Sequence, residues 1–157
     1  LSAALRIRPG GTEAGDAAAI VDFQLRMARE TEGLELDRAT VVRGVAAVLA
    51  DPARGCYWMA EREGDTGRIV GSLLTTFEWS DWRDGTVLWI QSVYVVPEER
   101  GRGVYRALYE HLKRRVEADP ALMGLRLYVD KRNAAAQGVY ERLGMSREHY
   151  ELFEWLK

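Results

Sequence analysis

The residues best suited to chemistry begin where the apolar segment Ser92 to Val96 ends at Pro97: after Glu98 and Glu99 come Arg100, Gly101, Arg102, Gly103, Val104, Tyr105 and Arg106. A glycine-containing turn that opens a helix lets backbone N–H groups approach an anion closely, and the helix dipole adds to the attraction. With charge from Arg100, Arg102 and Arg106, this stretch suits a pyrophosphate. Taken alone it is also an ordinary helix start with exposed arginines. Further along, Asn133, Ala136, Tyr140, Leu143, Gly144 and Met145 form a second group. Asn133 suits an N-cap, its side chain accepting from the first free N–H groups of a helix. Tyr140 offers a phenolic proton, with a pKa of about 10 in the range of an alkyl thiol. It also falls on an apolar helical stripe, where a tyrosine serves equally as core.

The elements that must position these groups are legible from period and punctuation. Leu5 to Arg8 alternates and stops at Pro9, Gly10 and Gly11, which predicts a short strand. Ile20, Phe23 and Met27, then Val41, Val45, Val48 and Leu49, recur at helical spacing. Glu30 to Asp37 connects these two helices, either lining a cleft or simply linking them. Cys56 to Glu61 and Ile69 to Trp79 read as a hairpin turning at Gly64, Asp65, Thr66 and Gly67. A second turn, Asp81 to Gly85, leads into Thr86 to Val96, the longest strand. Tyr105, Leu108, Tyr109, Leu112 and Val116 mark a third helix, Leu125 to Val129 a short strand, and Ala136, Val139, Tyr140 and Leu143 a fourth helix closed by Gly144. Tyr150 to Trp155 is expected to form a final strand. This order predicts an α/β (α+β) chain, a mixed sheet with helices on both faces, as a single domain over residues 1–157.

The strand, the Arg100 to Tyr105 turn and the following helix resemble the acetyl-CoA loop of the GNAT (GCN5-related N-acetyltransferase) superfamily. That pattern is Arg or Gln, two residues, Gly, one residue, then Gly or Ala; here Tyr105 stands at the last position. A bulky side chain fits there if its backbone N–H faces the phosphate and its ring turns into the core. The Asn133 to Met145 group resembles the family's later helix, which starts at an Asn and continues through Ala and Tyr to Leu-Gly-Phe or a near variant. The resemblance covers residues 68–157 well and the first half in element order. It implies a mostly antiparallel mixed sheet of about seven strands flanked by about four helices.

The resemblance further implies acetyl-CoA as co-substrate and an amine as acceptor. Val93, Tyr94 and Val95 would pair through their main chain with the pantetheine arm, Gly101 to Tyr105 would cradle the pyrophosphate with Arg106 adding charge, and Asn133 would contact the coenzyme. Tyr140 takes the place of the family's general acid. The general base is less plain, because Trp89 and Gln91 occupy the strand positions where many relatives carry Glu, and Tyr128 stands where others have an acid. Glu78, Asp81 and Asp130 are the remaining carboxylates, with Glu78 first because the turn at Asp81 to Gly85 brings its strand against Thr86 to Val96. For each, a charge on a solvated strand face is the plainer reading. The missing strand Glu also fits a catalytically silent acyl-CoA binding or sensing domain.

Composition narrows the partners. The net charge is -2 with both signs interspersed, which argues against nucleic acid. With one Cys and two His there is no metal-ligand spacing and no internal disulfide. Apolar runs fall short of the roughly 20 residues that span a bilayer. A cytoplasmic protein with no metal and no membrane partner is expected. Glu78 to Asp84 mixes acids with Trp79 and Trp82, which suits recognition of a cationic amine, a hairpin tip or a homodimer surface. His111, beside Lys113, Arg114 and Arg115, is expected to face solvent.

Overall fold

The computed structural model describes residues 4–64 and 68–157. Among them five strands form one sheet in the order β1-β2-β3-β4-β5: Leu5–Pro9 (β1), Cys56–Arg62 (β2), Arg68–Ser80 (β3), Gly85–Val95 (β4) and Leu122–Leu127 (β5). The first four pair antiparallel, β2 to β3 and β3 to β4 through short turns and β1 to β2 across a long helical connection, while β5 runs parallel to β4. A parallel pair needs a crossover. Here it is the 3-10 turn Pro97–Glu99 followed by the helix Val104–Ala118 (α3).

Helices cover both faces, as the element order predicts. On one, Asp16–Glu32 (α1) and Arg38–Ala50 (α2) pack Ile20, Val21 and Val45 against Tyr57 and Met59 of β2. Helix α2 begins at Asp37, whose carboxylate accepts from the Thr40 N–H at 2.8 Å. On the other face α3 lays His111 on the Trp58 ring at 4.8 Å, with the Arg115 guanidinium also 4.8 Å from that ring. His111 is therefore half-buried, contrary to the expectation that it faces solvent. It sits three residues beyond Leu108 and next to Leu112, on the apolar stripe, where the neighbouring charges hid its placement. Burial, and then Arg115 and Arg114, hold its pKa below the ordinary imidazole value.

One polar cluster ties β1, β2 and α1 together. Arg8 donates to both Asp16 oxygens at 2.7 and 2.8 Å and to Glu61 at 2.5 Å. Burial alone would push the Asp16 carboxyl up, but Arg8 and the N–H groups of Glu13 and Gly11 hold it below the carboxylate range. Glu61 is lowered too, by Arg8 first. A buried carboxylate pair of this kind is tolerated because its counter-charge and donors are in place.

The chain forms two compact units, residues up to Leu127 and Tyr128–Lys157. The second carries the helix Ala134–Arg142 (α4). The expected last strand, Tyr150 to Trp155, does not form, and Tyr150, Leu152, Phe153 and Trp155 are exposed. Aromatic and apolar residues favour a strand, but a strand forms only where it pairs with a neighbour. The sheet thus has five strands among the described residues, not about seven, and β5 begins at Leu122, earlier than Leu125. Part of the predicted turn, Asp65 to Gly67, lies outside the described residues, while β2 and β3 on either side of it pair as the hairpin requires. No described helix is long and apolar enough to cross a membrane.

Candidate active site

β4 and β5 stay paired only from Thr86–Leu122 to Ile90–Leu127, yet β4 runs on to Val95. The reason lies on the other side of β4. Against β3, Ser92 faces Leu74 and Ile90 faces Thr75, so Gln91 is an extra residue with no partner. Such a bulge bends and twists its strand, and here it does so where β4 and β5 part. Beyond the bulge the Val96 N–H donates to Val70, toward β3. Because backbone groups alternate between the two edges of a strand, those of Val93 and Val95 turn toward the gap.

The gap opens onto the loop. Gly101 and Gly103 have φ of 73° and 79°, a region that residues with a Cβ rarely enter. A Cβ at either would meet no atom within 4 Å, so the backbone stands clear. Gly103 caps α3 without a side-chain hydrogen bond, and the first N–H groups of the helix have no intrahelical acceptor. The turn is fixed from beneath by Glu99, a buried carboxylate bonded by Arg62 at 2.6 Å, with Arg102 3.7 Å away. Arg62 first, with help from Arg102 and Arg68, lowers its pKa against the upward push of burial. Tyr105, the departure from the family pattern, sets its ring 6.4 Å from Tyr109 with its hydroxyl shielded from solvent, and Arg106 pairs with Glu110 at 3.3 Å.

Glu30, near the end of α1, joins this corner although the sequence flags it only as the start of a polar connection. It accepts from the Tyr94 hydroxyl at 2.8 Å and from Arg100 at 2.5 Å. Arg100 and then Tyr94 hold its pKa below the carboxylate range. The Tyr94 side chain is buried against Phe23, with ring centroids 5.2 Å apart. Burial, followed by Glu30, pushes its phenol up.

Toward the paired end of the gap, Glu78 on β3 accepts from the Trp89 indole N–H at 2.5 Å and from Arg126 on β5 at 2.5 Å. Gln91 donates to the Thr76 hydroxyl at 2.8 Å nearby. Glu78 is thus an expected carboxylate set directly beside Trp89 of β4. Asp81 lies in the hairpin turn, where it accepts from the Trp82 N–H.

The second unit holds the other two expected residues. Asn133 caps α4, accepting from the Ala136 N–H at 3.0 Å, as its position predicts. Burial pushes the Tyr140 phenol above its ordinary value, which keeps it protonated near neutrality. Asp130 is held at about 2 by Arg132, a poor proton acceptor.

Comparison with known proteins bears on the family and the fold. The model of the family described as Acetyltransferase (GNAT) family matches residues 19–145. A mycothiol acetyltransferase of Thermobispora bispora is 37% identical over 107 residues, 62% of this chain and 31% of that protein. Its counterpart in Kocuria rhizophila is 32% identical over 105 residues, 61% of this chain and again 31% of that protein, so the chain spans under a third of these relatives. The solved structure of "a possible acetyltransferase from Clostridium difficile 630" is 37% identical, covers 98% of this chain and 97% of its own, and superposes with a TM-score of 0.88. A ribosomal-protein-alanine N-acetyltransferase of Brucella melitensis biovar Abortus 2308 is 16% identical, covers 98% of this chain and 100% of its own, and has a TM-score of 0.73, a likeness of fold alone.

Proposed function

Because the chain belongs to the acetyltransferase (GNAT) family, we propose that it transfers an acetyl group from acetyl-CoA directly to a primary amine, on a small molecule or a protein. The observation that carries this reading is the edge of β4: pairing with β5 stops at Ile90–Leu127, and the freed strand leads into two positive-φ glycines and a helix start without a side-chain cap. An extended arm bearing amides fits the backbone of Val93 and Val95. A diphosphate fits the N–H groups from Gly101 to Arg106, with Asn133 as a further coenzyme contact. Bound acetyl-CoA supplies the activated acyl group. The amine nitrogen bonds to the acetyl carbon as the carbon–sulfur bond breaks. The nitrogen gives its proton to Glu78 or to water, and the departing thiolate takes one from Tyr140. Residues 1–157 act as one catalytic domain.

A second reading, an acyl-CoA binding or sensing domain without turnover, is favoured by one observation. Neither residue 89 nor residue 91 is an acid, and both Glu78 oxygens already accept hydrogen bonds. Titration calorimetry with acetyl-CoA and thiol release across an amine panel decide between them. Binding with thiol release supports transfer, binding without it the sensing domain, and absence of binding overturns both.

A further inference from the structure

Glu78 and Arg126 stand on strands that are not neighbours, because β4 runs between β3 and β5. Strands lie roughly 4.8 Å apart, so the two side chains reach over an intervening strand to meet. What they cross is Trp89, whose indole N–H donates to Glu78 while Arg126 bonds the other oxygen. All three share the sheet face that Leu74 presents to α1 and α2. The helices leave this end of the face uncovered: Thr76, Glu78, Trp89 and Arg126 are half-buried and Gln91 is exposed. Trp89–Arg126 is also the last but one register pair before the strands part. A carboxylate and a guanidinium are therefore coupled, within reach of solvent, at the brink of the gap.

We propose that this pair selects the acceptor, and that the acceptor carries a carboxylate beside its amine, as an amino acid does; the inference rests on the acetyl transfer proposed above. A lone carboxylate would welcome any cationic amine, including polyamines. A guanidinium beside it repels polycations and pairs with a planar carboxylate through parallel N–H bonds. A zwitterion matches both charges at once: its ammonium replaces Arg126 as the partner of Glu78, and its carboxylate replaces Glu78 as the partner of Arg126. The indole bond keeps Glu78 oriented during the exchange. Arg126 is a specificity residue in this scheme, and the proton taken from the bound ammonium leaves by the route already given.

The test measures thiol release from acetyl-CoA with matched acceptors: leucine, phenylalanine, glutamate and lysine, the carboxamide of each, and the corresponding amine without the carboxylate. Rates are compared per unprotonated amine. At least one free amino acid is expected to exceed its two counterparts about 10-fold or more in kcat/KM, mainly through KM. Arg126→Gln should bring the three near parity with acetyl-CoA affinity and melting temperature retained. If that variant fails to fold, Arg126→Lys, which keeps the charge and loses the planar fork, should reduce the preference several-fold. Amines acetylated without regard to the carboxylate, or a preference that survives loss of Arg126, overturn this inference and leave acetyl transfer standing. Absence of thiol release with every amine tested overturns the transfer reading beneath it, and this inference with it.

Discussion

Arg100 returns to the strand it follows, its Nε donating to the Val95 carbonyl at 3.0 Å. The same guanidinium bonds Glu30 at 2.5 Å and stands 5.4 Å from the centre of the Tyr94 ring. The arginine expected to greet a diphosphate is thus already committed, to a carbonyl at the edge of the gap and to a carboxylate from α1. A pyrophosphate bound as proposed would have to compete with Glu30 for it.

Removing that competitor should strengthen coenzyme binding. Glu30→Gln keeps an acceptor for the Tyr94 hydroxyl but takes a negative charge away from the corner. Its dissociation constant for acetyl-CoA is expected to fall on the order of three-fold, an effect that shrinks as salt is added. Calorimetry at low and high salt checks this; weaker binding would mean that Glu30 holds Arg100 ready rather than back.

Gly103→Glu places a carboxylate at a helix N-terminus proposed to receive an anion, on a backbone at φ 79° that resists a side chain. Acetyl-CoA affinity should fall at least about ten-fold. Gly103→Asn carries the conformational penalty in milder form without the charge, so it separates strain from repulsion. Normal affinity in the Glu variant would reject the loop as the diphosphate site.

Tyr140→Phe removes the proposed proton donor and keeps the ring. The expected result is a loss of roughly 100-fold or more in kcat with acetyl-CoA affinity nearly intact. The raised pKa of the phenol means that activity should not decline from Tyr140 ionisation below its ordinary titration range. Unchanged turnover would remove Tyr140 from the reaction.

The Arg8 cluster predicts how the fold responds to acid. Asp16 and Glu61 titrate lower folded than unfolded, so their contribution is complete above the ordinary carboxylate range and is lost as pH falls through their depressed values. Arg8→Met leaves both buried carboxylates without their shared cation and should cost about 3–5 kcal/mol at neutral pH. Because the carboxylates then gain from protonation, the variant should recover part of the loss on mild acidification. Melting curves of both proteins from neutral pH downward test the sign.

Features that depend on near neighbours in the chain were legible beforehand, and those that depend on register were not. Asn133 reads as a cap because a cap acts within its own first turn, and Gly101 and Gly103 read as a turn because glycine marks positive φ. The extra residue at Gln91 has no local signature, since a bulge exists only relative to the partner strand. The meeting of Glu78 with Arg126 is invisible for the same reason, being set by two strand pairings at once. Glu30 was hidden by distance, reaching Arg100 only because α1 lies along β4. Tyr150 to Trp155 failed in the opposite way, its aromatic and apolar residues favouring a strand that takes up no partner.

Gln91 has a further consequence. Side chains on a strand alternate between faces, so one supernumerary residue reverses parity for everything beyond it. That reversal lets Trp89 and Tyr94, an odd and an even position, both turn toward α1 and α2. Deleting Gln91 would leave Ser92, Val93, Tyr94 and Val95 opposite their present partners on β3, because Ile90 would then lead directly into Ser92, but it would remove the bend at the point where β4 leaves β5. A single-residue deletion at this place should therefore spare the β3–β4 ladder and act on the opening itself, letting β4 stay zipped to β5 beyond Ile90.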